Sequence, residues 1–118
     1  MAEFSITTQT LTATSALCKM AGEVNALAFE SMEEEFSKLL DSGVKAIIIE
    51  ASALENMTSA ALGAILNLNR LVGQRDGLLV VTRLRPANEG LLEMLGLEET
   101  LTLAESPEAA RKMIANIR

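Results

Sequence analysis

Two short, unbroken apolar runs constrain the fold of this chain more than any other feature of its sequence. Residues 45–50 are Lys-Ala-Ile-Ile-Ile-Glu, and residues 77–82 are Gly-Leu-Leu-Val-Val-Thr. A strand that is apolar at successive positions is typical of a sheet covered on both faces, and such sheets are parallel or mixed. The runs therefore predict an α/β domain in which residues 45–50 form a central strand, with right-handed crossovers between parallel strands.

The segments between these runs show helical periodicity. Asn25 is a candidate N-cap for a first helix that Gly43 ends, and Thr58 or Ser59 precedes a second. Pro86 and Gly96 bracket a short third helix, and Ser106-Pro107 opens a fourth. The apolar stripes of the first two helices are Phe29, Met32, Phe36, Leu39 and Leu40, and Ala61, Leu62, Ile65, Leu66, Leu68 and Val72. The acidic run Glu33–Glu35 falls largely on a solvated face of the first helix.

Weaker strand patterns complete the predicted order. Residues 5–21 predict two short strands joined by a turn, residues 51–58 a loop, and residues 100–104 a last strand. The expected order is β-β-α-β-α-β-α-β-α. It describes a single domain over residues 1–118, with a mixed four- to five-stranded sheet, about four helices and the early hairpin at its exposed edge.

Composition excludes several classes of function. The 118-residue chain has a net charge of −6 and only 3% aromatic residues, which argues against nucleic-acid binding. It contains no His, so His-dependent relays and zinc motifs cannot be formed, and we expect neither an enzyme nor a metal site nor a cofactor. The single Cys18 is expected to be a buried, inert thiol. Without an apolar leader or an 18-residue apolar run, we expect a cytoplasmic protein with no membrane insertion.

Candidate site residues lie where strands lead into helices. Thr58 and Ser59 stand at a helix N-terminus, where free N–H groups favour an anion, although either hydroxyl could be only the helix cap. Arg83 and Arg85 are candidate anion-binding residues after the second buried strand, or ordinary surface residues. We expect such loops beyond the carboxyl ends of the strands to hold the functional site.

Three stretches together resemble a known family. They are Ala21-Gly-Glu-Val-Asn25, residues 46–50 leading through Met57-Thr-Ser-Ala-Ala-Leu-Gly-Ala-Ile-Leu66, and Arg85-Pro86 through Met94-Leu-Gly-Leu97. In order and spacing they resemble the bacterial anti-sigma factor antagonists of the STAS domain family, from about Leu11 to Ile117. The resemblance implies the STAS-like fold and a protein-interaction module whose partner is an anti-sigma factor or a related regulatory kinase.

The resemblance also identifies the position of a phosphorylation site. Phosphorylatable members begin the second helix with Asp-Ser-Ser/Thr-Gly, and a partner kinase modifies the second hydroxyl residue. Matching Leu62-Gly63 to the family's Leu-Gly places Thr58 at the Asp, Ser59 at the first Ser and Ala60 at the acceptor. Asn25 likewise replaces an Asp that members often carry. The acceptor position therefore has no hydroxyl, and Ser59 and then Thr58 become the phosphorylation candidates.

These considerations define the predicted partner surface and its alternative. The surface comprises the start of the second helix and residues near it: Asn25, Asn56, Met57, Thr58, Ser59, Asn67 and Arg70. The alternative is a STAS-like sensor or transport-assembly subunit that binds a nucleotide or a lipid-linked group near Arg83. The sequence leaves open whether the chain forms a homodimer through its edge hairpin.

Overall fold

The sheet has five strands in the order in which they occur along the chain, β1-β2-β3-β4-β5. The computed structural model describes residues 3–117. Its elements are β1 (Ser5–Thr12), β2 (Ser15–Gly22), α1 (Ala26–Asp41), β3 (Ala46–Leu54), α2 (Ser59–Gly73), β4 (Leu78–Thr82), α3 (Pro86–Met94), β5 (Thr102–Ala104) and α4 (Pro107–Ile114). β1 pairs antiparallel with β2, and the remaining neighbours pair parallel. The predicted mixed sheet, its element order and the central position of residues 45–50 are confirmed.

The apolar run of β3 is buried on both faces because helices cover both sides of the sheet. Ile47 and Ile49 belong to a large core cluster with residues of α1 and α2, whereas Ala46 and Ile48 pack with residues of α4. Ile47, Ile48 and Ile49 have no exposed surface. The alternation of side chains between the two faces thus accounts for the run of residues 46–49, in which every position is apolar.

The residues predicted to begin and end the helices do so. Asn25, Thr58 and Ser106 are the N-caps of α1, α2 and α4, and each side chain accepts a hydrogen bond from the backbone N–H three residues later. Gly43 follows α1 with a φ of 93°, a left-handed conformation that a side chain would oppose. Cys18 is buried in the larger core cluster, as expected.

The prediction of a loop over residues 51–58 is wrong for its first half. β3 continues to Leu54 because β2 continues beside it to Gly22, with Ala21 opposite Ala53 and Gly22 opposite Leu54. The register shifts just before these pairs, between Lys19 and Ala21. The hydrogen bonds of a neighbouring strand therefore outweigh the weak strand propensity of an Ala-rich segment, and only residues 55–58 connect β3 to α2.

Within residues 3–117, no helix combines the length and the apolar character needed to cross a membrane. Across the same residues, no group of three or more His, Cys, Asp or Glu side chains is arranged to hold a metal ion.

Candidate functional site

The N-termini of α1 and α2 lie side by side because the strands that precede them are neighbours. β2 and β3 are parallel and end together at the paired residues Gly22 and Leu54. A few residues later each chain segment enters its helix through a capping side chain. Asn25 Oδ1 accepts from the Ala28 N–H at 2.9 Å, and Thr58 Oγ1 accepts from the Ala61 N–H at 3.1 Å. Of the two cap candidates before α2, Thr58 is therefore the cap, and Ser59 is the first helical residue.

An open groove of about 670 Å³ lies between these two helix starts. Its walls bring together residues that are more than 30 positions apart in the sequence. They are Asn25, Ala26, Phe29, Glu30, Glu33, Thr58 and Ala60. The structure thus places predicted site residues Asn25 and Thr58 in one groove, together with Ala60, the residue expected from the family resemblance at the acceptor position.

The groove combines an apolar surface with acidic groups along one wall. Phe29 and Ala60 contribute apolar atoms from opposite helices, whereas Glu30 and Glu33 contribute carboxylates from α1. Glu30, Glu33 and Ala60 are all exposed. Ser59 and Asn56 are also exposed, beside the cap residue Thr58. An open surface that combines apolar atoms with charged groups is suited to contact with another macromolecule.

The segment before α2 is held by a buried amide from α3. Asn88 is 2% exposed, and its Oδ1 accepts a hydrogen bond from the Met57 N–H at 2.8 Å. Its Nδ2 donates to the carbonyl oxygens of Leu54 and Glu55, each at 3.2 Å. One side chain therefore satisfies three backbone groups of the segment that presents Thr58 and Ser59, which fixes the path of the main chain into the site.

Met57 does not contribute an exposed contact as the sequence predicted. Met57 is only 8% exposed and belongs to the large core cluster. The flanking Asn56 and Thr58 are exposed, so Met57 points inward from an otherwise polar connection. Its role is to anchor that connection to the core, and we remove it from the predicted partner surface.

Asn67 and Arg70 lie further along α2, away from its start. Both are exposed, and Arg70 Nη2 donates to Asn67 Oδ1 at 2.8 Å. Asn67 lines a small cavity of about 40 Å³ between α1 and α2 that also includes Glu33. Glu33 of α1 lines both this small cavity and the groove between the helix starts, so Asn67 lies next to that groove. Arg70 is connected to the groove through its hydrogen bond to Asn67.

The two arginines after β4 have different surroundings. Arg85 Nε donates to the Ser52 carbonyl oxygen at 2.9 Å, so this guanidinium ties the start of α3 to the end of β3. Arg83 adopts a left-handed backbone conformation with a φ of 62°. Arg83 borders a shallow cavity together with Glu89 and Glu105, and the negative carboxylates of these two residues would repel a bound anion.

Some residues of the site escaped prediction from sequence. Phe29 and Glu33 were assigned only to the faces of an amphipathic helix, and Glu30 was not singled out, because nothing in the sequence shows which helix would lie beside α1. Asn88 carried a signal, since it stands four residues before Leu92 and so shares the buried stripe of α3. A polar residue at such a position points to a buried hydrogen-bonding role.

Comparison with known proteins agrees with this arrangement. The family model of the STAS domain matches residues 6–110. The candidate anti-sigma factor antagonist BtrV of Bordetella bronchiseptica is 29% identical over 91 residues, which cover 77% of this chain and 78% of that protein.

Solved structures show the same fold at low identity. An anti-sigma factor antagonist from Mycobacterium paratuberculosis superimposes with a TM-score of 0.85 at 18% identity, covering 97% of this chain and 96% of that chain. The antagonist SpoIIAA in its unphosphorylated form gives a TM-score of 0.82 at 19% identity, covering 97% of this chain and 100% of that chain. The phosphorylated form of SpoIIAA, from Bacillus, gives 0.74 at 20% identity, with 92% and 99% covered.

Proposed function

Because the chain belongs to the STAS domain family, we propose that it is a protein-interaction module of the anti-sigma factor antagonist type. Its partner would be an anti-sigma factor or a related regulatory kinase. The similarity to BtrV, whose name describes an antagonist of this class, supports the class of partner. The STAS antagonists are generally binding modules and not enzymes, which agrees with the open character of the groove.

The observation that carries this proposal is the groove between the starts of α1 and α2. It joins an apolar surface from Phe29 and Ala60 to carboxylates and to exposed hydroxyls at a helix N-terminus. The Asn88 hydrogen bonds hold the connection into α2 in one conformation. A preorganised surface loses less conformational entropy on binding than a mobile loop, and this favours recognition of a macromolecule there.

We propose further that the usual phosphorylation switch is altered at this site. Ala60 is exposed beside the groove but has no hydroxyl to accept a phosphoryl group. Ser59 remains the first candidate acceptor because it is exposed and begins α2. Thr58 is the second, although its Oγ1 already accepts the capping hydrogen bond from Ala61. If neither is modified, the module binds its partner without this switch.

A phosphate at Ser59 would affect the partner more than the fold. The added charge of nearly −2 would lie at the positive end of the α2 dipole, which stabilises an anion locally. A partner docked over Ser59 would have to make room for the phosphate and desolvate its charge. Release would then come from this steric and desolvation cost at the interface and not from unfolding.

The alternative of a small-ligand sensor gains no specific support from the two arginines. Arg85 is engaged with Ser52, and the surroundings of Arg83 are acidic. Calorimetry with a panel of nucleotides tests it directly: saturable micromolar binding that Arg83→Ala abolishes would favour the sensor over the interaction module.

The test of the proposed function begins with capture of the partner. The wild-type chain is immobilised and incubated with cytosol of the native organism, and a retained anti-sigma factor or kinase is identified by mass spectrometry and purified. Calorimetry then compares wild type with Ser59→Asp and with Asn116→Asp, an exposed position of equal charge change after α4. We expect Ser59→Asp to weaken binding by at least about tenfold, and Asn116→Asp to change it less than about twofold.

Hydrogen exchange on the same complex locates the interface independently. We expect bound partner to protect the backbone amides of residues 56–62 and of the first two turns of α1. Protection elsewhere on the chain, combined with unchanged affinity of Ser59→Asp, would contradict the proposal. Incubation with ATP and the partner, followed by mass spectrometry, then shows whether Ser59 or Thr58 is phosphorylated.

A further inference from the structure

The outer edge of β1 is an unpaired strand edge of unusual length and neutrality. β1 has eight residues, six of them exposed, and it pairs with β2 on one side only. In an edge strand, alternate residues direct their backbone N–H and C=O groups away from the sheet, where another strand can pair with them.

The opposite edge of the sheet is protected in ways that β1 is not. β5 has only three residues, and Glu105 follows it directly. Natural sheets blunt their edges by short strands, charged residues or Pro, since these prevent pairing between molecules. The sequence of β1, Ser-Ile-Thr-Thr-Gln-Thr-Leu-Thr, contains no charge and no Pro. A register shift between Thr10 and Thr12 interrupts the strand near the turn, so the regular part of this edge is residues 5–10.

We propose that β1 is the contact surface of a homodimer, in which the β1 strands of two copies pair antiparallel. The occupant is a second copy because the strand can pair with itself, and the charge distribution makes β1 the place where two copies can meet. The chain carries a net charge of −6, so two copies repel each other over most of their surface. Along the eight residues of β1, two chains can meet without placing like charges opposite each other.

The strand is also compatible with pairing to itself. β1 side chains alternate between the two sheet faces: Ile6 and Thr8 lie opposite Met20 and Cys18, and Thr7 and Gln9 opposite Lys19 and Leu17. A two-fold axis through Thr8, perpendicular to the sheet, sets Ile6 opposite Thr10 and Thr7 opposite Gln9. Each pair then lies on one face, and the two sheets become continuous. Thr and Ile are strand-favouring residues, and their cross-strand pairs stabilise such a ladder.

The dimer is expected to be weak and independent of the proposed partner site. A strand of this length spans about 27 Å at about 3.4 Å per residue, and pairing along it alone buries less than the roughly 1,200 Å² typical of stable complexes. None of the groove-lining residues belongs to β1. The dimer therefore neither requires partner binding nor blocks the groove, and each proposal can fail without the other.

Sedimentation equilibrium of the purified chain between about 10 μM and 1 mM tests the dimer in the range expected for a small interface. The key variant is Thr7→Lys with Gln9→Lys, two exposed positions that the proposed register places opposite each other across the axis. The two added lysines change the net charge from −6 to −4. This lowers the overall repulsion between copies, so a weaker dimer can result only from local repulsion at the edge.

The control variant, Gln74→Lys with Ala87→Lys, has the same net charge and alters exposed residues after α2 and in α3, away from β1. We expect wild type and control to dimerise, and the β1 variant to show a dissociation constant at least about tenfold higher. We also expect slower amide exchange within β1 of wild type as its concentration rises. A wild type that is monomeric at about 1 mM overturns the proposal. So does a dimer that the β1 lysines leave unchanged and in which β1 exchange is independent of concentration.

Discussion

The side chain of Asn88 fixes the main chain at Met57, 31 residues earlier in the sequence, through a hydrogen bond of 2.8 Å. The same amide also binds the carbonyl oxygens of Leu54 and Glu55. α3 thereby controls the path from β3 into α2, although it contributes no residue to the groove wall. The candidate site depends on this buried contact for its geometry.

Replacement of Asn88 should therefore destabilise the fold and loosen the site. Asn88→Leu keeps a similar volume but leaves the buried Met57 N–H without its acceptor, which costs about 1–3 kcal/mol for each unsatisfied group. We expect a loss of about 2–4 kcal/mol in urea unfolding, and faster exchange at residues 56–59. Asn56→Leu makes the same chemical change at an exposed position nearby, and a comparable loss there would contradict this explanation.

The cap of α2 allows a second prediction about local stability. Thr58→Ala removes the oxygen that accepts from the Ala61 N–H, and should cost about 1 kcal/mol. Thr58→Asp retains an acceptor and adds a charge that the helix dipole favours, so its stability should equal or exceed that of wild type. Ser106→Ala on α4 removes an equivalent hydrogen bond of 3.1 Å and provides the comparison. Thermal unfolding that shows Thr58→Asp to be as damaging as Thr58→Ala would exclude a capping role.

The carboxylates of the groove lead to a prediction about partner binding that depends on the proposed function. Glu30 and Glu33 line one wall, so a partner seated there would present complementary basic groups. Glu30→Lys with Glu33→Lys should lower the association rate constant at least about tenfold at low salt, because steering is reversed. Surface plasmon resonance against the captured partner measures this, with Glu98→Lys and Glu108→Lys as an exposed control of equal charge. Equal effects of the two pairs would mean that only net charge matters.

The sequence was informative wherever local rules decide the structure. The unbroken Ile run predicted the central strand, and Asn25 and Gly43 marked the ends of α1, because periodicity and capping depend on neighbouring residues. The extension of β3 through Ala53 and Leu54 was missed. That segment is a strand only because β2 pairs with it, and propensity does not describe such a partner.

The candidate site was predictable only in part, for a related reason. Its capping residues could be found from sequence, since Asn25 and Thr58 precede apolar helical stripes. Their meeting in one groove follows from the parallel pairing of β2 with β3, which brings Gly22 beside Leu54. Met57 was assigned to the surface as part of the loop before α2. The sequence does not show that the Asn88 amide would bind the Met57 N–H, or that the Met57 side chain would join the core.

The two glycines Gly77 and Gly63 should respond in opposite ways to the same substitution. A Cβ at Gly77 would lie 1.9 Å from the Lys45 carbonyl oxygen, so Gly77→Ala forces the start of β4 away from β3. A Cβ at Gly63 meets nothing within 4 Å, and this residue is an exposed position within α2. Gly63→Ala should stabilise the protein by about 0.5–1 kcal/mol through helix propensity, whereas Gly77→Ala should destabilise it by more than about 2 kcal/mol. Urea unfolding of both variants checks the signs, and a stabilising Gly77→Ala would contradict the close approach.

The buried thiol of Cys18 should make stability depend on pH in the alkaline range. Burial raises the pKa of Cys18 from its ordinary value of 9.0 to about 12, and the nearby Glu35 charge contributes in the same direction. The unfolded chain ionises this thiol near pH 9, whereas the folded chain keeps it neutral. Above that pH the unfolded state therefore binds fewer protons than the folded state, and stability falls. The stabilising contribution of the neutral thiol is complete below pH 9 and is lost progressively up to about pH 12.

Comparison with Cys18→Ala isolates this effect from the titration of other groups. The variant lacks the thiol, so the difference in unfolding free energy between wild type and Cys18→Ala should be constant below about pH 8 and should shrink as the pH rises beyond 9. Urea unfolding at pH 7 to 10.5 measures the difference, because the two proteins share every other ionisable side chain and the chain contains no Tyr. In parallel, a thiol reagent at pH 8 should modify native Cys18 only at the rate of unfolding, since the folded state holds almost no thiolate. Rapid modification of the native protein, or a difference that stays constant to pH 10.5, would show that the thiol is solvated and not part of the core.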